Sequence, residues 1–597
     1  MTGIVLTALF FLFPGTLLTL RKDFFPRLLL TEKIPICIAL SLAYWIIGFW
    51  FLKYFRFPLH YVLFSSIVLS IGTFIAILYR TRRFVITHTH NIRANIVILG
   101  WFLLLAVPGM LALNGTIAPS GADMSMHAYL SKIIYLADGF PKTMEPLVPI
   151  QQFTSYPIGF PVLIADMMLL NKLPVYTNAL WLSVFTYWFF AVCIYTLIRS
   201  KFPPFISAIA TVAVTWLSLT PNDFIEWGAN PTVLSLDFLL ISVIFFFHLK
   251  QRGSLFFLFA AAYCAVLIHY IMPIGLGYIS LLYLPLLWRR MENRIKHNST
   301  AFLCIAAACA MFTVPFLFHI LKNPVPISPH TETYVKGLQM QEIMEWSGNP
   351  FSVTPEAIRF LIGTLGAPII VLYLISLFIT GIFRPHLLLR YGVWTMGILI
   401  LIMNARLWWI PFSSLLYPKR MVLLLVIPIA LSLAGGISYS MDSMRKYFSP
   451  VNRYILTGLT LLLIVYAYYP HVENHLQRYI RSGNLSVVTQ QDLDAMQWLS
   501  EHTKPSDIIL NNYEDAGLWI PAITNRQITL YHTNPIDMDQ PRVNRGKETY
   551  AFIGNKTFTK NSQGNAVNAH LLINDPARYT RMYANGLAEI YRINKTQ

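Results

Sequence analysis

PVYTNALWLSVFTYWFFAVCIYTLI, residues 174–198, carries no charged side chain and is bounded by Lys172 on one side and Arg199 and Lys201 on the other. A helix rises about 1.5 Å per residue, so a run of roughly 20 apolar residues matches the hydrocarbon core of a bilayer. A water-soluble core has no room for many such segments, and here the segment recurs. Reading outward, similar runs lie at 4–20, 34–52, 59–79 and 95–113 on the N-terminal side. On the C-terminal side they lie at 203–220, 231–249, 254–270, 271–288, 300–321, 359–382, 391–410, 420–440 and 453–470. The chain therefore reads as mainly α, a polytopic transmembrane helical bundle of about fourteen helices.

Composition agrees. Apolar types make up 56% of the 597 residues and charged types 12%, whereas a soluble domain is about a quarter charged. A net charge of +18 would suit nucleic acid if it formed one patch or stripe. Instead Lys and Arg fall in small groups between apolar runs, as expected of loops held against anionic lipid, and nucleic acid is excluded as a partner. Cys37, Cys193, Cys264, Cys304 and Cys309 all sit inside apolar runs. They read as small apolar helix residues, and no disulfide framework is available after residue 470. The first run lacks a basic leader and ends at Arg21 and Lys22, so it reads as a retained helix and not a cleaved signal peptide.

Charge orients the bundle. With the N-terminus outside, the inside loops hold Arg80, Arg82, Arg83 and Arg93; Lys250 and Arg252; and Arg289, Arg290, Arg294 and Lys296, among others. Every inside loop then has at least two cations, and the opposite orientation fails at nearly every loop. An even helix number puts both termini on the non-cytoplasmic side. The long outside segments are 114–173, 322–358 and the tail, with shorter loops at 221–230 and 411–419. Loops of that length are usually functional, so the chemistry is assigned to this face.

From His471 the chain turns polar. QQDLDAMQWLSEHT (490–503) has amphipathic helical spacing, and DIILNNY, QITLYHT, TYAFIG and LAEIYRI read as strands between Gly, Asn, Asp and Pro turns. The tail, 471–597, is expected to be a small soluble α/β or α+β domain.

The most informative outside stretch is NGTIAPSGADMSMHAYLSKIIYLADGFPKTMEPLVPIQQFTSYPIGFPVLIA, residues 114–165. Asp123 opens a predicted short helix, His127 follows one turn later on the same face, and Met126, Tyr129, Ile133, Ile134 and Leu136 supply an apolar side suited to the membrane surface. Taken alone, Asp123 is equally a helix N-cap, with Met126 where a capping box would place Glu. His127 taken alone reads as a satisfied surface or interface histidine ahead of a ligand, since Asp-x3-His specifies no metal.

The loop, with its acidic residue, amphipathic helix, GFP turn (139–141) and YPIG return (156–159), resembles the first non-cytoplasmic loop of the GT-C superfamily. These are polytopic glycosyltransferases that use polyprenyl-phosphate sugars, such as protein mannosyltransferases and aminoarabinose transferases. EWGANPTVLSLDFLLISV (226–243), IHYIMPIG (268–275) and YPKRMVLLLVIP (417–428) are similar to segments of such proteins, as are AMQWLSEHTKPSDIILNNYEDAGLWIPAITNRQI and RMYANGLAEIYRIN in the tail. The resemblance implies a GT-C-like core at 95–470, preceded by extra transmembrane helices at 1–94, and makes Asp123 the catalytic residue. Two departures stand: the acidic loop follows the fourth helix and not the first, and Asp123 has no adjacent acidic partner.

The implied function is transfer of a sugar from a polyprenyl-phosphate-linked donor to an extracytoplasmic glycan, lipid or protein, at the plasma (inner) membrane. A carboxylate at the membrane edge would serve as general base, and a fixed cation would stabilise the leaving phosphate. Lys419 and Arg420 suit that task, because they break the charge trend by standing at the outside end of a helix; a snorkelling pair is the alternative. His127, Tyr156, Asp223 and Glu226 complete the candidate substrate-binding set. Asp223 and Glu226 would orient the acceptor, assist a divalent metal or simply face water; no cofactor is otherwise specified. Asp166 and Asp237 lie near or inside apolar segments, where a carboxylate is costly, and His269 reads as helix packing with a satisfied ring nitrogen. His330, Glu332, Glu342 and Glu345 mark the 322–358 loop without ligand spacing. A surface-polysaccharide polymerase or ligase, and a lipid-linked oligosaccharide flippase or transporter, are the alternatives. The latter would show paired halves with interrupted helices.

Overall fold

The structure, a computed structural model, describes residues 2–281, 355–403, 418–444 and 486–594, together with positions 449, 452, 459, 473 and 477. Within those blocks it leaves out 21–27 except Phe25, 56, 81–91, 114, 122, 150–155 except Phe153, 221–227 except Phe224, 249–252, 513–514, 532–546 and 557–571. The expected helix at 300–321, all but one position of that at 453–470, and His330, Glu332, Glu342 and Glu345 therefore lie outside the described residues.

The first part of the bundle is α1 (Thr2–Leu12), α2 (Ile34–Phe55), α3 (Leu59–Arg80), α4 (Ile92–Leu104), α5 (Val107–Leu113), α6 (Asp123–Ala137), α7 (Gly159–Asn171), α8 (Val175–Arg199) and α9 (Pro204–Trp216). It continues with α10 (Asn230–Phe247), α11 (Ser254–Ile268), α12 (Ile271–Leu281), α13 (Pro355–Leu365), α14 (Ala367–Phe383), α15 (Pro385–Met403), α16 (Pro418–Met421) and α17 (Val426–Met444). Among the described residues six helices are long and apolar enough to cross a membrane, or seven if α13 and α14, bent by 100°, form one span. The polytopic helical architecture is thus as expected, while several runs are broken where the backbone requires it. Pro108 offers no N–H to the Leu104 carbonyl, which interrupts the 95–113 run between α4 and α5, although the two together count as one of the six spans. Gly366, at φ +91°, and Pro368 set the bend between α13 and α14.

Two elements differ from expectation. The stretch 159–171, assigned by sequence to an outside loop, is a buried apolar helix; at 13 residues it is too short to register as a span. α6, expected to lie with one face on the membrane surface, is buried on most sides, including Met124, His127, Ala128, Tyr129, Leu130, Ile133 and Ile134. Its second cover is the C-terminal domain, a contact that periodicity does not disclose.

In an apolar bundle, hydroxyls need partners within the protein. Ser183, Thr186 and Thr196 of α8 donate to carbonyls one turn back. Buried Glu32 accepts from Tyr195 Oη (2.9 Å), Arg199 Nε (2.7 Å) and the Leu29 N–H (2.8 Å), fixing the end of α8 to the turn before α2. Ser235 Oγ of α10 lies 2.9 Å from both the Ala265 and His269 carbonyls, tying α10 to the end of α11.

The C-terminal domain contains α18 (Gln490–His502), β1 (Ile508–Leu510), α19 (Ile520–Thr524), β2 (Gln527–Ile528), β3 (Tyr550–Ile553), β4 (Tyr579–Asn585) and β5 (Ala588–Ile593). The sheet order is β2-β1-β3-β5-β4, with β2, β1 and β3 parallel and β5 and β4 antiparallel to their neighbours. The Asn585-Gly586 turn, with Gly586 at φ +62°, closes the β4–β5 hairpin. α18 begins in a capping box in which Thr489 Oγ1 accepts from the Asp492 N–H and Asp492 Oδ2 accepts from the Thr489 N–H. Asp492 Oδ1 also accepts from the Asn555 N–H, joining helix to sheet.

Asp515 holds the carboxyl ends of β1 and β3 together. Its Oδ1 accepts from the Gly517 N–H (2.7 Å), and its Oδ2 accepts from the Gly554 N–H (2.8 Å) and Asn512 Nδ2 (3.2 Å). Burial pushes its carboxyl from 3.8 up to about 7, against the pull of those donors. A raised acid takes up a proton on folding between those values, so this contribution is complete below about pH 4 and lost as pH rises through about 7. Asp515→Ala leaves the Gly517 and Gly554 N–H groups without their acceptor, at a cost of about 2 kcal/mol or more. Hydrogen exchange of the β1 and β3 amides in the full chain should accelerate roughly 30-fold, and its pH dependence from about 4 to about 7, after correction for intrinsic exchange, should flatten.

Candidate functional site

Three glycines set the site by letting segments touch. Gly228, at φ +83°, has a position where a Cβ would stand 2.9 Å from Met124 Cγ and 3.0 Å from the Ser120 carbonyl. The loop before α10 is therefore the shelf for the start of α6, and Asn230 Nδ2 supports it by donating to Ser183 Oγ while lying 3.1 Å from Met124 Sδ. A Cβ on Gly159 would be 2.9 Å from the Leu267 carbonyl, and one on Gly275 would be 2.6 Å from Met421 Sδ. The start of α7 thus presses on the end of α11, and α12 presses on α16.

These contacts meet at the break between α11 and α12. There His269 is extended (φ −164°, ψ 116°) and 3% exposed. Arg420 Nη1 donates to His269 Nε2 at 2.8 Å, and Arg420 Nη2 stands 3.8 Å from Asp123 Oδ2, within ion-pair range but beyond a hydrogen bond. A guanidinium only donates, so Nε2 must be unprotonated, and a neutral His269 then carries its proton on Nδ1. That Nδ1 is buried and has no hydrogen-bond partner among the described residues. The side chains of Asp123 and Arg420 are 30% and 16% exposed, so the pair is accessible from one side.

The other predicted residues fall around this centre. His127 is buried, with its ring 5.7 Å from that of Tyr156 and 5.6 Å from that of Phe160. Tyr156 lies between the two histidines, 6.4 Å from the His269 ring. Burial, with Tyr270 nearby, raises its phenol above the ordinary range, so it is a neutral hydroxyl. Lys419 points elsewhere, its Nζ 6.0 Å from the centroid of the Phe224 ring. Asp223 and Glu226 lie outside the described residues. Asp166 and Asp237 are buried, with both carboxyl oxygens of each lacking a hydrogen-bond partner among the described residues. No group of three or more His, Cys, Asp or Glu suited to a metal occurs among the described residues.

The C-terminal domain brackets α6. Ser486 Oγ donates to the Ala118 carbonyl ahead of the helix, while Tyr531 Oη and Gln527 Nε2 donate to the Leu147 and Pro146 carbonyls behind it. The Tyr531 ring also meets Tyr129 of α6 edge-on at 6.1 Å. The sequence marked His269 for helix packing with a satisfied ring nitrogen but named no partner for it, and gave Tyr531 no role. The only signal for His269 was its place in IHYIMPIG, ahead of Pro273 and Gly275; Tyr531 sits in an ordinary strand-like run.

The fold and site define a multi-pass helical membrane protein with a cation–carboxylate centre beside a small α/β domain. Residues 133–595 match the family of unknown function DUF6541, and the chain belongs to that family. The matched stretch includes Tyr156, His269, Lys419 and Arg420 and begins after Asp123 and His127. No curated protein matches. Among similar solved structures is the Archaeoglobus fulgidus oligosaccharyltransferase tethered with an acceptor peptide, at 13% identity, with 76% of this chain and 69% of that chain covered and a TM-score of 0.44. Apo ArnT from Cupriavidus metallidurans is 12% identical, with 83% and 98% covered and a TM-score of 0.45. The same protein bound to undecaprenyl phosphate is 11% identical, with 84% and 98% covered and a TM-score of 0.49.

Because Gly228 combines positive φ with direct contact to α6, Gly228→Ala should strain the shelf by about 1–3 kcal/mol and displace the start of α6. Thermal unfolding of the purified protein should fall by several degrees relative to Gly277→Ala, whose Cβ meets open space. Equal melting temperatures would show that the shelf adapts.

Proposed function

We propose that the protein is a GT-C-type glycosyltransferase that moves a sugar from a polyprenyl-phosphate donor to an extracytoplasmic acceptor. The observation that carries this reading is the meeting of Asp123 with Arg420, two residues far apart in sequence that the motif resemblance had marked separately. In this reading Asp123 is the general base that takes the acceptor hydroxyl proton as the sugar carbon develops positive charge. Arg420 stabilises the leaving phosphate with its charge and directed N–H groups. Tyr156 and His127 line the approach, and Asp223, Glu226 and Lys419 are further candidates for binding the acceptor or donor. The site, both termini and the C-terminal domain are non-cytoplasmic, in the plasma membrane, with the 289–296 loop inside.

Turnover of the purified protein with a polyprenyl-phosphate sugar tests the reaction. Asp123→Asn keeps size and capping capacity but removes the accepting charge, so turnover should fall about 100- to 10,000-fold with unchanged expression. Arg420→Ala should mainly weaken donor use, and Arg420→Lys should restore part of the charge without the fork. Wild-type turnover in Asp123→Asn would leave Asp123 as a helix cap.

Orientation is tested separately, in a background free of the native cysteines. Lys142 and Asn574 are exposed, so cysteine at either should react with an impermeant maleimide in intact cells or spheroplasts. Cysteine at Asn293 should react only after permeabilisation. Labelling of Asn293 in intact cells would invert the topology.

A further inference from the structure

We propose that His269 is a positioning residue that holds the Arg420 guanidinium away from a closed, bidentate pair with Asp123. The proposal rests on the transferase reading for its kinetic consequence, but its structural content stands on the geometry alone. An Arg and a carboxylate side by side tend toward a fork-to-fork pair, with two parallel N–H···O bonds at about 2.8 Å. Such a pair would quench both partners: the carboxylate would lose basicity, and the guanidinium would turn its donors away from an incoming anion. Here one arm of the guanidinium is taken at 2.8 Å by His269 Nε2, and the other stops 3.8 Å from Asp123 Oδ2.

The acceptor is itself held rigidly. His269 caps α11 in an extended conformation, and its carbonyl lies 2.9 Å from Ser235 Oγ of α10. Its ring stacks on Tyr270 at 5.5 Å and meets Tyr156 edge-on at 6.4 Å. Gly159 and Gly275 bring α7 and α16 against the same break. The ring therefore has little freedom to follow Arg420, and it is Arg420 that must adapt to the ring. Because Nε2 is committed as an acceptor, the buried Nδ1 is the ring's donor. A side chain that accepts nothing from Arg420 would remove the restraint, whereas a neutral amide with an acceptor at the Nε2 position would retain it.

His269→Gln and His269→Phe separate these cases, because the Gln carbonyl reaches the place of Nε2 and Phe fills the ring volume without an acceptor. In an experimental structure of the Phe variant, Arg420 should close on Asp123 with both arms within about 3 Å. In the Gln variant the separation should stay near the wild-type 3.8 Å. In turnover with a polyprenyl-phosphate sugar, the Phe variant should lose about 10- to 100-fold, mostly in kcat. The Gln variant should recover most of that loss at an equal melting temperature. An unchanged Arg420–Asp123 separation in a folded Phe variant overturns the proposal, as does equal turnover of the Phe and wild-type proteins. If the wild type shows no turnover with this donor while Arg420 closes as described, the transferase reading fails and the positioning role stands.

Discussion

A guanidinium at the edge of an apolar bundle is tolerated only where acceptors are already in place, because its charge and N–H groups cannot be left bare out of water. Arg420 answers that condition in part by donating one N–H to a histidine on a helix break and standing within ion-pair range of a carboxylate at the head of another helix. The surrounding architecture follows from this constraint. α7, α11, α12 and α16 must approach more closely than side chains ordinarily allow, and Gly159 and Gly275 stand at two of those approaches. Gly228 does the same for α6, with the added need for positive φ. The motifs around these glycines are each weak as sequence, yet at Gly159 and Gly228 an added Cβ would meet backbone atoms, while at Gly275 it would meet the Met421 and Leu424 side chains.

The C-terminal domain follows from the same requirement at the other end of α6. Residues 115–149 run outside the main helices and carry carbonyls that need donors. The domain supplies them from Ser486, Gln527 and Tyr531, at points before and after the helix. α6 is thereby fixed by the bundle on one side and by the domain on the other, which is why it is buried where amphipathic periodicity alone would leave a face free. Asp123 owes its position to contacts made more than 360 residues later in the chain.

This explains what the sequence could and could not disclose. The helical membrane class was legible because bilayer thickness imposes a length that any apolar run either meets or does not. α18 and the core strands were legible because capping, periodicity and turn residues are local. α7 was missed because a short buried helix has no length signature, and β4 because its exposed, polar run shows no clear alternation. At the site, Asp123, Tyr156 and Arg420 stood out by motif or by charge, but the partner of Arg420 did not. His269 was expected to pack with one ring nitrogen satisfied, and it does; that the satisfying group is the guanidinium depends on a fold-level approach of two helices.

The adjacent cations Lys419 and Arg420 show why residue counts alone mislead at such places. Successive residues on a helix point about 100° apart, so the pair cannot serve one ligand equally. Lys419 turns toward Phe224 on the loop before α10, while Arg420 turns inward to His269 and Asp123. As snorkelling anchors the two would be interchangeable, since that role asks only for a long stem and a charge in the headgroup layer. Arg420 instead has a buried neutral acceptor matched to one of its N–H groups, and its stem lies among helices held at glycine distances. A compact ammonium could supply the charge but not the fork that reaches both His269 and the Asp123 side. The departure from the charge trend at this helix end is therefore a property of Arg420 with His269 and Asp123, with Lys419 answering to the neighbouring loop.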